Sequence, residues 1–145
     1  MTRKNRILLA AAVLLAGAAP QAFAAGAYVE LKGHRYSIEL AEDEAAREYG
    51  LMNRTEMDPD HGMLFVFPND EPRAFWMKNT KIPLDMIFID RNRKVVSIKH
   101  DAPPCVTERC PAFMSEGPVR YVLELNAGQA AKLGLTAGDE LIVHR

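Results

Sequence analysis

The segment with the most chemistry in this sequence is a run of five residues, Trp76-Met77-Lys78-Asn79-Thr80. It sets an indole ring, an ammonium, an amide and a hydroxyl side by side, and such groups can form the floor and polar rim of a small-ligand pocket. If the segment is a strand, alternation places Trp76 and Lys78 on one face. A structural alternative remains open, because Lys-Asn-Thr can simply end a strand and its Asn tolerates turn geometry.

Asp85 is the second candidate, because it shares a strand face with apolar residues and a buried carboxylate needs a partner. Arg54, Lys78 or the backbone amides around Asn79 could be that partner. As a functional group, Asp85 could be an acid/base with a raised pKa or could hold Lys78 for an anionic ligand. As a structural group, it could satisfy the turn that precedes its strand.

Arg54 follows the first predicted helix and could grip a carboxylate or phosphate bidentately. It could equally pair with Asp85 or Glu124 inside the fold. Glu124 lies opposite the apolar face of its strand, so it could be merely exposed. The sequence therefore predicts a ligand-binding set made of Arg54, Trp76, Lys78, Asn79, Thr80 and Asp85.

Two cysteines, Cys105 and Cys110, lie in a short proline-flanked segment. The even count and the tight loop favour a disulfide in an oxidising compartment. His100 with the two cysteines would be an incomplete zinc ligand set, and the spacing is not that of a C-x-x-C oxidoreductase. A disulfide that pins one loop is the prediction.

Six of the seven methionines lie beyond residue 24, and thioethers are soft ligands for copper(I), with His61 as a nearby nitrogen ligand. Most of these methionines lie within apolar runs, where methionine commonly fills the core. Core packing is the favoured interpretation, and copper handling remains the alternative.

Several reactions are disfavoured by the sequence. It has no Gly-x-Ser-x-Gly elbow, no glycine-rich phosphate loop, no dinucleotide fingerprint and no His-Glu-x-x-His. The net charge of −1 provides no basic stripe, so nucleic acid is not an expected partner. No cofactor is indicated.

Residues 1–24 have the pattern of a cleavable signal peptide. Arg3, Lys4 and Arg6 precede an apolar stretch over residues 7–19, and Ala22-Phe23-Ala24 is a small-x-small cleavage site. The apolar stretch would make a helix of about 20 Å, too short for a hydrocarbon core of roughly 30 Å. We therefore predict cleavage after Ala24, no stable membrane anchor, and a periplasmic or secreted protein.

The elements that must position these residues are short. Residues 25–145 form one predicted domain, in which alternating or apolar segments predict strands separated by Gly, Pro and Asn turns. The predicted strands are residues 29–32, 35–40, 63–67, 74–77, 84–89, 95–100, 121–125 and 141–144. Helices are predicted at 42–49, ending at Gly50, and at 127–133, capped by Asn126 and ended by Gly134. Residues 68–72 are predicted as a turn. The expected fold is mainly β (α+β), a small antiparallel barrel or sandwich of seven or eight strands with two short helices.

Four motifs resemble the domain-of-unknown-function family 192. They are Gly50-Leu51-Met52-x-Arg54, Gly62-Met63-Leu64-Phe65-x-Phe67, Phe75-Trp76-Met77-Lys78-Asn79-Thr80-x-Ile82-Pro83-Leu84-Asp85 and Leu123-Glu124-x-Asn126-Ala127-Gly128. The resemblance implies a β-rich single domain, frequently exported in bacteria, and it implies no activity.

Three functions therefore stand as hypotheses. The first is a periplasmic binding or accessory module that holds a small anionic or polar ligand, or a peptide segment, with an unidentified small molecule or periplasmic protein as its partner. The second is an enzyme with Asp85 as acid/base and Lys78 or Arg54 stabilising negative charge. The third is a protein that handles copper or another metal.

Overall fold

The computed structural model describes residues 26–145, so the predicted signal peptide at residues 1–24 lies outside the described part of the chain. Within residues 26–145 the chain forms nine strands and two short helices. In chain order these are β1 (Tyr28–Leu31), β2 (His34–Ala41), α1 (Glu44–Tyr49), β3 (His61–Glu71), β4 (Ala74–Trp76), β5 (Leu84–Ile89), β6 (Val95–Ala102), β7 (Ala112–Met114), β8 (Val119–Asn126), α2 (Gln129–Leu133) and β9 (Leu141–His144). None of the helices in this part of the chain is long and apolar enough to cross a membrane.

Seven strands make one curled sheet with the order β6-β5-β8-β3-β2-β1-β9, and β4 pairs with β7 in a separate ribbon. All pairs in the large sheet are antiparallel except β2 with β3. The two edge strands approach each other at one end, where Val95 N donates to Asp139 O and Leu141 N donates to Arg93 O. The result is a half-barrel with mostly antiparallel strands, which confirms the predicted mainly β fold.

The sheet has apolar side chains on both faces. The inner face holds a cluster to which all seven strands contribute, including Leu64, Ile87 and Leu123. The outer face of β3, β5 and β8 holds a second cluster, which is covered by the β4–β7 ribbon and the chain after α1. Each strand in the middle of the sheet therefore buries both of its faces, as the six buried residues of β5 show.

The structure corrects two local predictions and adds one strand. Residues 68–71 continue β3 rather than turning, with a register shift after Val66 that lets the strand bend. Asn126 does not cap α2, because it is the last residue of β8 and its amide donates to the carbonyls of Met57 and Asp58. The N-cap is Gly128, which has no side chain to offer. β7 was not predicted at all.

Candidate functional site

A small cavity of about 30 Å³ lies between α1, the end of β4 and the outer face of the sheet. Its wall carries four aromatic rings, those of Tyr49, Phe65, Phe75 and Trp76, and five polar or charged side chains, those of Arg47, Glu48, Lys78, Thr80 and Glu124. This volume holds one or two water-sized groups. The cavity is therefore large enough for a polar head group and too small for a whole ligand.

The mouth of the cavity opens onto exposed apolar side chains. Trp76 is 54% exposed and Tyr49 is 58% exposed, which is unusual for side chains of this size. Two open grooves of about 410 and 570 Å³ flank Trp76, one along the length of β4 and one beside Met52. Trp76 therefore lines the cavity and both grooves.

The short helix α1 sets one wall of the site. Its start is fixed by Asp43, whose side chain accepts a hydrogen bond from Ala46 N at 2.8 Å. Its end is fixed by Gly50, which has a φ of +49° and donates to Ala46 O. An added Cβ at Gly50 would lie 3.2 Å from the Phe65 ring, so glycine lets the helix end close to the cavity wall.

The opposite wall is the turn at residues 76–80. Thr80 N donates to Met77 O at 3.0 Å, and Asn79 has a φ of +55°, which asparagine adopts more readily than most residues. Lys78 Nζ donates to the carbonyls of Thr107 and Glu108 at 3.1 and 3.3 Å. These contacts give Lys78 and Asn79 the structural roles that were the alternative interpretation, and Lys78 ties the turn to the cysteine loop.

Glu124 forms the floor of the cavity, and it is only 4% exposed. Its neighbours across the sheet are Met63 on β3 and Met86 on β5, which lie beside it in register. Among residues 26–145 no group donates a hydrogen bond to its carboxyl oxygens and no cation pairs with it. Burial alone therefore raises the pKa of Glu124 to about 8, which makes it a neutral acid at pH 7.

The solvent-facing side of the β4–β7 ribbon extends the apolar surface. Ala74 and Trp76 on β4, and Ala112 and Met114 on β7, are all exposed, and Met114 is 58% exposed. Ala74 pairs with Met114 and Trp76 with Ala112, so the four side chains lie on one face. An exposed face with no polar residue is typical of a surface that contacts another molecule.

Asp85 lies on the other face of the sheet from Glu124, fully buried beneath α2. Its carboxylate accepts hydrogen bonds from Asp101 N at 2.9 Å and from Ala130 N at 2.8 Å. None of the suggested partners bonds to it: neither Arg54, nor Lys78, nor the amides near Asn79. Asp85 serves instead as the missing cap of α2, because Ala130 N is one of the helix donors that Gly128 leaves without a partner.

Arg54 is also removed from the cavity, and it pairs with neither Asp85 nor Glu124. Its guanidinium contacts both carboxylate oxygens of Glu39 at 2.6 Å, and His61 Nε2 lies 3.0 Å from the same carboxylate. The hydrogen bonds from Arg54 and His61 lower the pKa of Glu39 against the opposing effect of burial. Arg54 and His61 line a separate groove of about 280 Å³.

The structure thus brings together three of the six predicted site residues, Trp76, Lys78 and Thr80, around one cavity. Asn79 lies at the edge of this site, whereas Arg54 and Asp85 lie elsewhere. Sequence reasoning left Glu124 out of the predicted set, with a pairing to Arg54 inside the fold and simple exposure both open. A signal was present, since Val122 and Leu123 make β8 apolar on both faces and a strand of that kind is buried on both sides.

The sequence suggested two sets of metal ligands, one with His100 and the two cysteines and one with methionines and His61. Cys105 and Cys110 form a disulfide, which confirms the predicted pairing, so neither offers a thiolate. Met63, Met77 and Met86 pack in the outer cluster, the position expected of core methionines. Residues 26–145 contain no group of three or more His, Cys, Asp or Glu placed to hold a metal ion.

Fold and site together define a half-barrel domain with an aromatic-walled cavity above a buried acid. The sequence profile of the DUF192 family, described as an uncharacterized ACR, matches residues 27–143. The chain belongs to this family, as its motifs had indicated. No curated protein matches the sequence.

Two crystal structures resemble the protein. One, from Sinorhizobium meliloti 1021, carries the provisional description of a transcription regulator; it is 43% identical, with a TM-score of 0.73 over 81% of this chain and 91% of that one. The other is a protein of unknown function from Novosphingobium aromaticivorans DSM 12444, 39% identical, with a TM-score of 0.71 over 80% of this chain and 82% of that one. They agree with the fold and assign no activity to this chain.

Proposed function

We propose that the protein is an exported, periplasmic binding module that holds an extended peptide segment of a partner protein against β4 and α1. The observation that carries this proposal is the exposure of Trp76, at 54%, between two grooves. A solvent-exposed indole with apolar neighbours contributes large contact area at little entropic cost when it is covered. The export signal at residues 1–24 and the disulfide both fit an oxidising compartment.

A peptide fits this surface better than a small anion does. The two basic side chains in the predicted set are held by the protein itself, Arg54 by Glu39 and Lys78 by two carbonyls. The Glu124 carboxyl, a neutral acid at pH 7, offers an anion no positive charge to pair with. A chain with alternating side chains can instead place one residue over Trp76 and leave its neighbours along the groove.

The acid/base alternative has no support in this geometry, because Asp85 contacts neither Lys78 nor Arg54 and its carboxylate oxygens are both engaged. A general acid or base must reach its substrate directly or through one water. Asp85 lies beneath α2, on the face of the sheet away from the cavity.

Intrinsic fluorescence offers a direct test, because Trp76 is the only tryptophan of the chain. N-acetylated, C-amidated heptapeptides with alternating apolar and polar residues would be titrated into the purified domain. Binding over Trp76 removes water from the indole, so we expect its emission to shift to shorter wavelength in a saturable way. The dissociation constant should be micromolar to millimolar, as is usual for a small, transient interface.

A matched pair of variants locates the binding surface. Tyr49→Ser changes an exposed aromatic side chain on α1 that lines the groove beside Trp76, and Ile142→Ser changes an apolar side chain on β9, where 44% of the residue is exposed. We expect Tyr49→Ser to weaken peptide binding at least several-fold and Ile142→Ser to leave it unchanged. The proposal fails if no peptide shifts the emission of the folded protein, or if the two variants weaken binding equally.

A further inference from the structure

Glu124 is only 4% exposed, and no hydrogen-bond donor or cation among residues 26–145 contacts its carboxyl group. Polar groups with so little exposure usually have a partner in the protein. Here the carboxyl faces a cavity of about 30 Å³ that opens towards the grooves beside Trp76. The missing partner can therefore come from a bound molecule.

We infer that the cavity takes a primary ammonium group, that of a lysine side chain in the bound peptide, and that Glu124 is its counter-ion. This inference rests on the peptide-binding function proposed above. The lysine would enter between Tyr49 and Trp76, with its methylene stem against the aromatic rings and its nitrogen at the floor.

The composition of the wall favours a cation over other polar groups. Rings of Tyr49, Phe65, Phe75 and Trp76 surround the cavity, and aromatic faces attract ammonium groups. Thr80 adds a hydroxyl oxygen, which can accept a hydrogen bond from an ammonium.

The protein's own cations do not occupy this place. Arg47 and Lys78 line the cavity with their stems, but their charged ends are directed to backbone carbonyls. Arg47 donates to the carbonyls of Glu42 and Val66, and Lys78 donates to those of Thr107 and Glu108. Neither lowers the pKa of Glu124.

The size of the cavity favours an ammonium over a guanidinium. A volume of about 30 Å³ accepts a nitrogen and the methylene that carries it. The planar guanidinium of arginine has three nitrogens around a central carbon, and it requires more room. Lysine therefore fits the floor, whereas arginine would have to remain at the mouth.

Binding should release a proton. Without ligand the Glu124 carboxyl holds its proton up to a pKa of about 8; with an ammonium beside it the carboxylate is favoured, and the proton passes to solvent. The charged or titratable groups around it are Arg47, Glu48 and Tyr49 on α1 and Lys78 after β4. Its cross-strand neighbours on β3 and β5 are methionines, which do not titrate in this range. Glu124 should therefore dominate the pH dependence below pH 8.

The test compares two acetylated, amidated pentapeptides that differ only at the central residue, lysine or norleucine. Norleucine keeps the alkyl stem and lacks the ammonium. At pH 8.5 we expect the lysine peptide to bind about a hundredfold more tightly, which is in the upper part of the range for a charge-assisted hydrogen bond. Its affinity should fall about tenfold per pH unit below pH 8, while that of the norleucine peptide stays constant.

Two variants assign the effect to the floor of the cavity. Glu124→Gln keeps the shape and removes the charge, so it should bring the two peptides to within about twofold of each other. Glu48→Gln removes an exposed carboxylate at the mouth and should change the preference less than threefold, since exposed charges are screened. If Glu124→Gln does not fold, the unchanged protein can still be tested by titration calorimetry. Titrations in buffers of different ionisation enthalpy measure how many protons are released on binding. At pH 7 we expect the lysine peptide to release close to one proton and the norleucine peptide to release none.

The outcomes separate this inference from the function on which it rests. Equal binding of both peptides with no proton release would overturn the ammonium site and leave peptide binding intact. Binding of n-butylamine that depends on Glu124, without binding of either peptide, would overturn the peptide function and keep the ammonium site. If none of the three probes binds, both proposals are wrong.

Discussion

Two acidic side chains are buried in this sheet, and they differ in what surrounds the carboxyl group. Asp85 is fully buried and accepts hydrogen bonds from two backbone amides, so both of its carboxyl oxygens have a partner in the protein. Glu124, on the opposite face, has no donor among residues 26–145. A carboxyl with fixed donors is part of the structure, whereas one with none is available to a proton or to a ligand.

The raised pKa of Glu124 makes stability depend on pH. Between pH 4.5 and 8 the folded protein keeps a proton on Glu124 that the unfolded chain has lost, so a rise in pH favours unfolding. We expect the protonated Glu124 to give its full contribution to the free energy of unfolding below pH 4.5. Above that pH this contribution should decline by about 1.4 kcal/mol per pH unit up to pH 8. Urea denaturation of the unchanged protein and of Glu124→Gln, at several pH values, measures the difference.

Glu124→Gln should show no such decline, because glutamine does not titrate. Glu48→Gln is the matched control and should keep the slope of the unchanged protein, since Glu48 is exposed. The quantity to compare is the difference in the free energy of unfolding between the unchanged protein and Glu124→Gln. If this difference stays constant from pH 5 to 8, Glu124 does not have the raised pKa of a buried carboxyl group without a partner. This experiment needs no ligand, so it examines the site independently of what binds there.

Single-sequence reasoning identified the aromatic and turn residues of the site and missed its acid. The Trp76 to Thr80 run was visible because its chemistry is contiguous. Glu124 could not be identified in this way, because strand alternation alone cannot distinguish an exposed face of a strand from a face that is covered by a distant element. The β4–β7 ribbon and α1 form that cover, and both are brought to β8 by long-range packing. Arg54 was likewise given the wrong partners, because Glu39 becomes its neighbour only through the pairing of β2 with β3.

At the scale of elements, the pairing of β3 with β8 places Glu124, and one glycine permits it. A Cβ at Gly62 would lie 2.5 Å from the carbonyl oxygen of Glu124 and 2.7 Å from a methyl of Leu125. A backbone oxygen at that distance cannot be relieved by rotating a side chain. The two strands would have to separate, and the cavity floor would move with them.

Gly62→Ala should therefore lower the free energy of unfolding by about 1–3 kcal/mol, the usual cost of overpacking a close contact. Gly117→Ala is a suitable control, because its Cβ would meet only a methyl of Val96 at 3.6 Å, an ordinary contact. We expect that control to stay within about 0.5 kcal/mol of the unchanged protein. Equal stability of the two variants, measured in urea, would mean that β3 and β8 do not approach so closely.

Elements with strong local patterns were predicted well, and elements fixed by distant partners were not. The strand at Leu84–Ile89 and the end of α1 at Gly50 follow from apolar periodicity and from glycine. β7 has three residues and exists because β4 pairs with it, so no local pattern marks it. The cap of α2 comes from Asp85, whose position relative to the helix depends on the whole sheet.

At the scale of the whole molecule, the mainly β class was predictable and the topology was not. Short strands separated by turn residues indicate a barrel or sandwich. The parallel pairing of β2 with β3 and the insertion of β8 between β5 and β3 join segments far apart in sequence. The cavity depends on this arrangement, because its floor, walls and mouth come from β8, α1 and β4.

The last prediction concerns the export that residues 1–24 predict. Expressed with residues 1–24 in a Gram-negative bacterium, the protein should be recovered from the periplasm with Ala25 as its first residue. Its intact mass should increase by two hydrogens on reduction, because Cys105 and Cys110 are bonded. The same chain made without residues 1–24 should stay in the cytosol with free thiols. It should still fold there, since a disulfide that closes a loop this short contributes only about 2 kcal/mol to the free energy of unfolding.

Recovery of an uncut chain in the membrane fraction would contradict the export signal. A reduced chain that fails to fold would show that the cysteine loop, which also holds Lys78, contributes more to the half-barrel than its length indicates.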